Sequence, residues 1–289
     1  MNMCCSAAAR RQRSDLHLAF TEGQGTLGYT RPASKEVATT TMNSLLPYVL
    51  MVMLPSIAIT GWAAWRVRST YARWSKVDSG IDLSAFDFAR RLLDRQGLTD
   101  VKIEPVPGQL TDHYDPRGKV LRVSSAVAGT RQLGQYNPAD RSVGFPQGSG
   151  TLSVAAAAVI AHEVGHALQD RERDPWMAAR QLIVPAAQIG SSIAPWLIIA
   201  GLWFSVTGLA EIGLIAFGAA VVFTFVTLPV EVGASGKALA FVTSLGISGE
   251  RQVGAREVLK AAAWTYVAAA LAALLTFVYY LMLILGRRD

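Results

Sequence analysis

Residues 181–210 read QLIVPAAQIGSSIAPWLIIAGLWFSVTGLA, thirty consecutive positions between Arg180 and Glu211 without a charged side chain. A helix of about 20 mostly apolar residues crosses the hydrocarbon core of a bilayer, whereas helices of soluble domains average about 11. The stretch therefore predicts a membrane crossing. Pro185 and Pro195 would disrupt a soluble helix, but in a bundle neighbouring helices re-satisfy the backbone groups that proline frees.

Three more charge-free stretches flank it: 29 residues between Glu36 and Arg66, 19 between Glu211 and Glu231, and 26 between Lys260 and Arg287. We assign transmembrane helices to 45–65, 182–206, 210–228 and 261–285. Composition agrees: the chain is 51% hydrophobic and 17% charged, against about 25% charged for soluble domains. A collagen-like fibre, a disordered chain and a fully soluble protein are excluded. The two cysteines, Cys4 and Cys5, are adjacent, so no disulfide scaffold is expected. The net charge of +6 is not gathered into a basic face with interleaved aromatics, which excludes nucleic acid as a partner. None of the four stretches contains an ionisable group of the kind a transporter needs inside its spans.

Residues 1–41 lack periodicity and a signal-peptide core, and read as a disordered tail, with Met42 a possible true start. Between the first two spans lies a soluble segment, 66–180. Ser84–Gln96 places Phe86, Ala89, Leu92 and Leu93 on one side and charged residues on the other, an amphipathic helix that Gly97 caps. Val101–Val106 and Lys119–Val123 alternate as short strands. Residues 128–150, rich in glycine and proline, read as a long loop, and Asp112, Asp115 and Pro116 as a turn. Thr151–Asp170 reads as a helix rich in alanine. A second polar segment covers 229–260. The expected fold class is mainly α: a four-helix transmembrane region with a small α+β soluble domain.

The alanine-rich helix carries His162-Glu163-Val164-Gly165-His166, the His-Glu-x-x-His (HExxH) pattern. Residues four apart are rotated by about 400° on a helix, so both imidazoles lie on one face and can share one metal. Glu163, one step round, can act on a metal-bound water without being a ligand. About 0.002 such matches are expected by chance in this composition. A solvated histidine pair is the bland alternative, but the apolar run Val154–Ala161 argues against a polar helix face. A catalytic zinc takes three protein ligands and leaves one position open. Candidates for the third are His17, His113, Asp112, Asp115, Asp170, Glu231, Glu250 and Glu257. Two crossings separate His166 from Glu231, which returns that carboxylate to the same side at the membrane boundary.

The stretches LTDHYDP (110–116), AHEVGHALQ (161–169), IGSSIAPW (189–196), LPVE (228–231) with Ala234-Ser235, and AAAWTYVA (261–268) resemble the YugP-type neutral zinc metallopeptidase family of membrane proteins. The resemblance covers about residues 43–285 apart from the 128–150 loop. It implies a gluzincin-like peptidase that binds Zn²⁺ through His162, His166 and, by analogy with the HtpX-type membrane proteases, Glu231. Glu163 would be the general base. Ser235 would stand behind the ligands on the Glu231 helix face, and His113 or Tyr114 would contact substrate or stabilise the oxyanion. The chain departs from the family pattern at Val232-Gly233 and at Gly236-Lys237, and both glycines lower helix propensity.

The expected function is hydrolysis of peptide bonds in protein or peptide substrates, membrane-associated ones, near the surface of the lipid bilayer. The alternative is a catalytically silent zinc-binding membrane scaffold. Cutting inside the membrane is disfavoured, because only ten apolar residues, Leu152–Ala161, precede His162. Basic residues follow the first span (Arg66, Arg68, Arg73, Lys76) and populate the second polar segment. A multi-pass protein of a bacterial-type plasma membrane with its active site on the cytoplasmic side follows from the positive-inside rule.

Overall fold

The computed structural model describes residues 46–128, 135–137, 142–144 and 152–286. The expectations for the tail and for Met42 lie outside these residues, as does most of the 128–150 loop. Among the described residues four helices are long and apolar enough to cross a membrane: α1 (Leu46–Trp74), α5 (Pro175–Trp203), α6 (Thr207–Ser244) and α7 (Glu250–Leu285). Between α1 and α5 come α2 (Ala85–Arg95), β1 (Lys102–Val106), β2 (His113–Asp115), β3 (Val120–Ser124), α3 (Ser125–Ala128), β4 (Gln135–Asn137), β5 (Ser142–Gly144) and α4 (Val154–Arg171). The chain is mainly helical, with a small three-stranded sheet of order β1-β3-β2.

Local chemistry sets the ends of these elements. In α2 the Ser84 hydroxyl caps Asp87 N–H at 3.1 Å, and Gly97 after its last turn takes φ +68°, a left-handed conformation suited to glycine. In α4 the Ser153 hydroxyl caps Ala156 N–H at 3.1 Å. Asp174 caps α5 by accepting from Trp176 and Met177 N–H, and Pro175 fills the first helical position, where its missing donor costs nothing.

Helix α4 is enclosed on nearly all sides. Ala155, Ala156, Ala157, Ala158 and Ala161 are buried together with Ile160 and Val164. Small side chains let α2, β3, α6 and α7 all approach its axis, which is why a run of alanines, and no amphipathic stripe, builds this helix. Its start is fastened to the end of α1: Ser79 N–H donates to Leu152 carbonyl, and Val154 N–H to Val77 carbonyl, both at 2.8 Å.

Helix α6 has 38 residues, about 57 Å at 1.5 Å per residue, far longer than a bilayer core requires. It passes Pro229 unbroken and carries Glu231 on into the polar segment. Helix α5 packs against it closely. Gly190 meets the Ala216 carbonyl and Gly201 meets Ala210, so a side chain at either glycine would strike the neighbouring helix.

Two local expectations change. Residues 113–115, read as part of a turn, form an edge strand paired antiparallel with β3, Tyr114 opposite Leu121. The turn comes after it, where Asp115 Oδ1 accepts from Arg117 and Gly118 N–H. Within the expected loop, β4 and β5 pair antiparallel with Tyr136 opposite Val143. Strands of three residues give too short an alternation to stand out against surrounding glycine and proline.

Candidate metal centre

The centre is made where α4 crosses α6. His162 and His166 project from one face of α4, their rings 4.7 Å apart between centroids. Glu231, fully buried, reaches them from α6: its Oε2 lies 3.1 Å from His162 Nε2 and 3.5 Å from His166 Nε2. One ligand atom from each of the three lies within 4.8 Å of the others. The crossing is this close because Gly165 stands at it; a Cβ there would come 2.8 Å from the Ala234 carbonyl oxygen.

The far nitrogens of both rings are held. Gln169 Nε2 donates to the Val230 carbonyl at 2.9 Å, an oxygen that can only accept. That fixes the amide so that its Oε1 faces His166 Nδ1 at 3.0 Å and accepts its proton. In the neutral form of His166 the lone pair is thereby on Nε2, which faces the carboxylate. Ser235 Oγ lies 3.3 Å from His162 Nδ1 on the equivalent side of the other ring. On the outer face, Arg180 Nη1 donates to Glu231 Oε1 at 3.0 Å, leaving Oε2 for the histidines.

Acceptor atoms facing one another in a buried space repel unless a cation or a proton lies between them. The environment favours positive charge there: burial depresses the His166 pKa, but the Glu231 and Glu163 carboxylates more than offset it and leave it above the ordinary imidazole value. A His-His-Glu donor set with its outer atoms hydrogen-bonded fits a divalent transition metal such as zinc.

Glu163 adjoins the group in a cleft of about 670 Å³. Its Oε2 accepts from Tyr114 backbone N–H at 2.9 Å, a donor on the free edge of β2. Burial raises its pKa, although both histidines and the Tyr114 N–H oppose the shift. The cleft is bounded on one side by residues 112–117 and on the other by Met177, Gln181, Val184 and Gln188 of α5 and Tyr266 of α7.

The other carboxylates considered as third ligand are engaged elsewhere. Asp112 binds Ser124 N–H and hydroxyl at 2.6 and 2.7 Å. Asp115 pairs with Arg122 at 3.1 Å, Asp170 accepts from the Tyr114 hydroxyl at 3.0 Å, and Glu257 accepts from Trp74 Nε1 at 2.8 Å. Glu250 opens α7 and is not among the grouped ligands; His17 lies outside the described residues. His113 lines the cleft but is exposed, its Nδ1 2.9 Å from the Thr111 carbonyl. The Tyr114 hydroxyl is spent on Asp170, and its pKa is raised by burial and by that bond; what Tyr114 presents to Glu163 is its backbone.

Three participants escaped the sequence reading. Gln169, three residues after His166, stands one helical turn along the same face, a spacing that could have singled it out. Arg180 read only as the last charge before a span, and Tyr266 only as part of an apolar stretch that resembles the family, with no role of its own. No local signal ties either to Glu231.

Comparison with known proteins gives the family of the chain. The family model described as "Putative neutral zinc metallopeptidase" matches residues 49–135 and 127–285. The protein named "Putative membrane protease YugP" of Bacillus subtilis (strain 168) is 37% identical over 241 residues, which span 83% of this chain and 98% of the relative. No solved structure gives a significant match. The four apolar helices and the name of that relative fit a multi-pass membrane protein. The chain belongs to the neutral zinc metallopeptidase family.

Proposed function

We propose that this protein hydrolyses peptide bonds at the bilayer surface, with His162, His166 and Glu231 holding Zn²⁺ and Glu163 moving the proton. One observation carries the reading: a buried carboxylate from α6 meets the two imidazoles of α4 beside a second carboxylate, all opening on one cleft. When bound, zinc supplies a Lewis acid for the scissile carbonyl and a water whose pKa falls to about 7.

The side chains divide the remaining work. Glu163 takes a proton from the attacking water as its oxygen bonds to the carbonyl carbon. It then delivers that proton to the amine nitrogen as the C–N bond breaks. The Tyr114 N–H holds one Glu163 oxygen and so limits rotation of the base. Gln169 and Ser235 orient the histidines, and Arg180 orients Glu231. With α5 and α7 forming one wall, the cleft suits a segment of a membrane-associated protein. Basic residues at the C-terminal end of α1 and within 229–260 support a cytoplasmic position for this face in a bacterial-type cell.

The test is Glu163→Gln in the full chain. It should retain zinc and lose hydrolysis, so that membrane fractions carrying it accumulate proteins that wild type degrades. Glu231→Ala should instead lower the zinc content of the purified protein. Wild-type proteomes in Glu163→Gln cells would support the silent zinc-binding scaffold.

A further inference from the structure

A second concave site lies on the face of α6 adjacent to the one that meets the metal centre, with Ser235 between the two. Past Glu231, α6 runs alongside the start of α7, and between them is a groove of about 310 Å³. Val232, Gly236 and Leu239 form one wall, a helical turn apart, and Leu259 and Ala263 the other. Gly236 opens it: a Cβ there would meet nothing within 4 Å.

Two cations stand on its rim. Arg256 and Lys260 are one turn apart on α7, exposed, and in no ion pair among the described residues. Side chains at i and i+4 are neighbours, and like charges so placed repel; an anion between them would remove that cost. Nearby Lys237 differs, being paired with Glu172 at 2.7 Å.

Position decides what that anion is. Lys260 is the last charge before the 26 uncharged residues 261–286, nearly all in α7, and Glu231 is the first after the 19 of α6. The groove thus sits where both helices leave their apolar stretches. Its two cations are at headgroup level, and Val232 and Ala263 are at its membrane end. Basic pockets between helices at this level hold anionic lipid headgroups, and arginine and lysine stems lie readily along apolar surface with their charges outward.

We propose that the α6–α7 groove binds an anionic phospholipid, its phosphate between Arg256 and Lys260 and an acyl chain against Val232 and Ala263. The site rests on α6 and α7 crossing a membrane and is independent of peptidase activity. Ser235 contributes to its floor while its hydroxyl contacts His162, so groove and metal centre share one residue.

Full-length protein in mild detergent is titrated with phosphatidylglycerol or phosphatidylcholine and examined by native mass spectrometry. Wild type should retain one phosphatidylglycerol in preference to phosphatidylcholine by about tenfold or more, as two cations near the surface would give. The double variant Arg256→Gln/Lys260→Gln should lose that preference, while Arg68→Gln/Lys76→Gln, basic residues at and just beyond the C-terminal end of α1, should keep it. Equal retention of both lipids by wild type overturns the proposal, as does equal loss in both double variants, the result expected of diffuse electrostatic attraction. Retention of a protein in place of lipid overturns it too. Should the first variant not fold, the Tm of wild type decides: a rise with phosphatidylglycerol and none with phosphatidylcholine supports the site, and equal responses refute it.

Discussion

Gly165 of α4 lies against the backbone of Ala234 in α6, so close that a Cβ on it would sit 2.8 Å from the Ala234 carbonyl oxygen and 3.2 Å from its Cα. Backbone cannot rotate aside as a side chain can. This contact sets the separation of the two helices that carry the candidate ligands, and it lies between His162 and His166 on one helix and one turn beyond Glu231 on the other.

Gly165→Ala should therefore push α6 away and draw Glu231 out of reach of the histidines. Overpacking of this kind costs about 1–3 kcal/mol, and a lowered Tm should accompany a fall in zinc bound per chain. Wild-type zinc content at wild-type Tm would show that the crossing tolerates a methyl group.

Gln169→Leu keeps the volume near His166 but removes the acceptor for its Nδ1 proton. Groups that orient a metal-bound histidine are worth about 10–100-fold in metal affinity, and competition with a zinc-binding dye should report a loss in that range. The glycine at 233, which weakens helix propensity, admits this side chain: a Cβ there would come 2.9 Å from Gln169 Nε2. Gly233→Ala should reproduce part of the Gln169→Leu defect.

Arg180→Ala tests the outer partner of Glu231. Both the arginine and a bound metal stabilise the same buried carboxylate, so losing one makes the protein depend more on the other. Without metal, the variant should melt well below wild type. Saturating zinc should narrow that difference, because a ligand that binds only the folded state stabilises it by mass action. A difference unchanged by zinc would mean that Arg180 acts elsewhere.

Asp112 has a structural task. Burial raises its pKa despite two hydrogen bonds from Ser124. With the folded value above the unfolded one, protonation favours the fold: the contribution is complete below the unfolded pKa and is lost as pH rises through the folded one. Asparagine can accept from Ser124 N–H and donate to its hydroxyl without charge. Asp112→Asn should thus match or exceed wild-type Tm at pH 7 and lose that advantage near pH 4. Asp112→Ala leaves two buried donors unpaired and should cost about 1–3 kcal/mol. A thermal melt series across pH separates these outcomes.

Much of the fold was legible along the chain. The amphipathic α2 announces itself through Phe86, Ala89, Leu92 and Leu93 with Ser84 and Gly97 at its ends, and charge-free runs mark α1, α5, α6 and α7, because both signals are local. The edge strand at His113–Asp115 was not legible. Three residues show no alternation, and strand pairing with Val120–Arg122 depends on a partner several residues away.

The candidate site divides along the same line. Helical periodicity in the sequence places His162 and His166 on one face with Glu163 beside them, since residues four apart are neighbours in any helix. The length and apolarity of 181–210 and 212–230 together predict two crossings that return Glu231 to their side of a bilayer. Which of several carboxylates meets the imidazoles was settled by the crossing of α4 and α6 at Gly165 and Ala234, and by Trp74, Ser124 and Tyr114 engaging Glu257, Asp112 and Asp170. The hydrogen bonds of Gln169 and Arg180 arise there as well. A hydrogen bond between residues 50 or 60 apart depends on two helices packing at one particular depth, a quantity that no local pattern encodes.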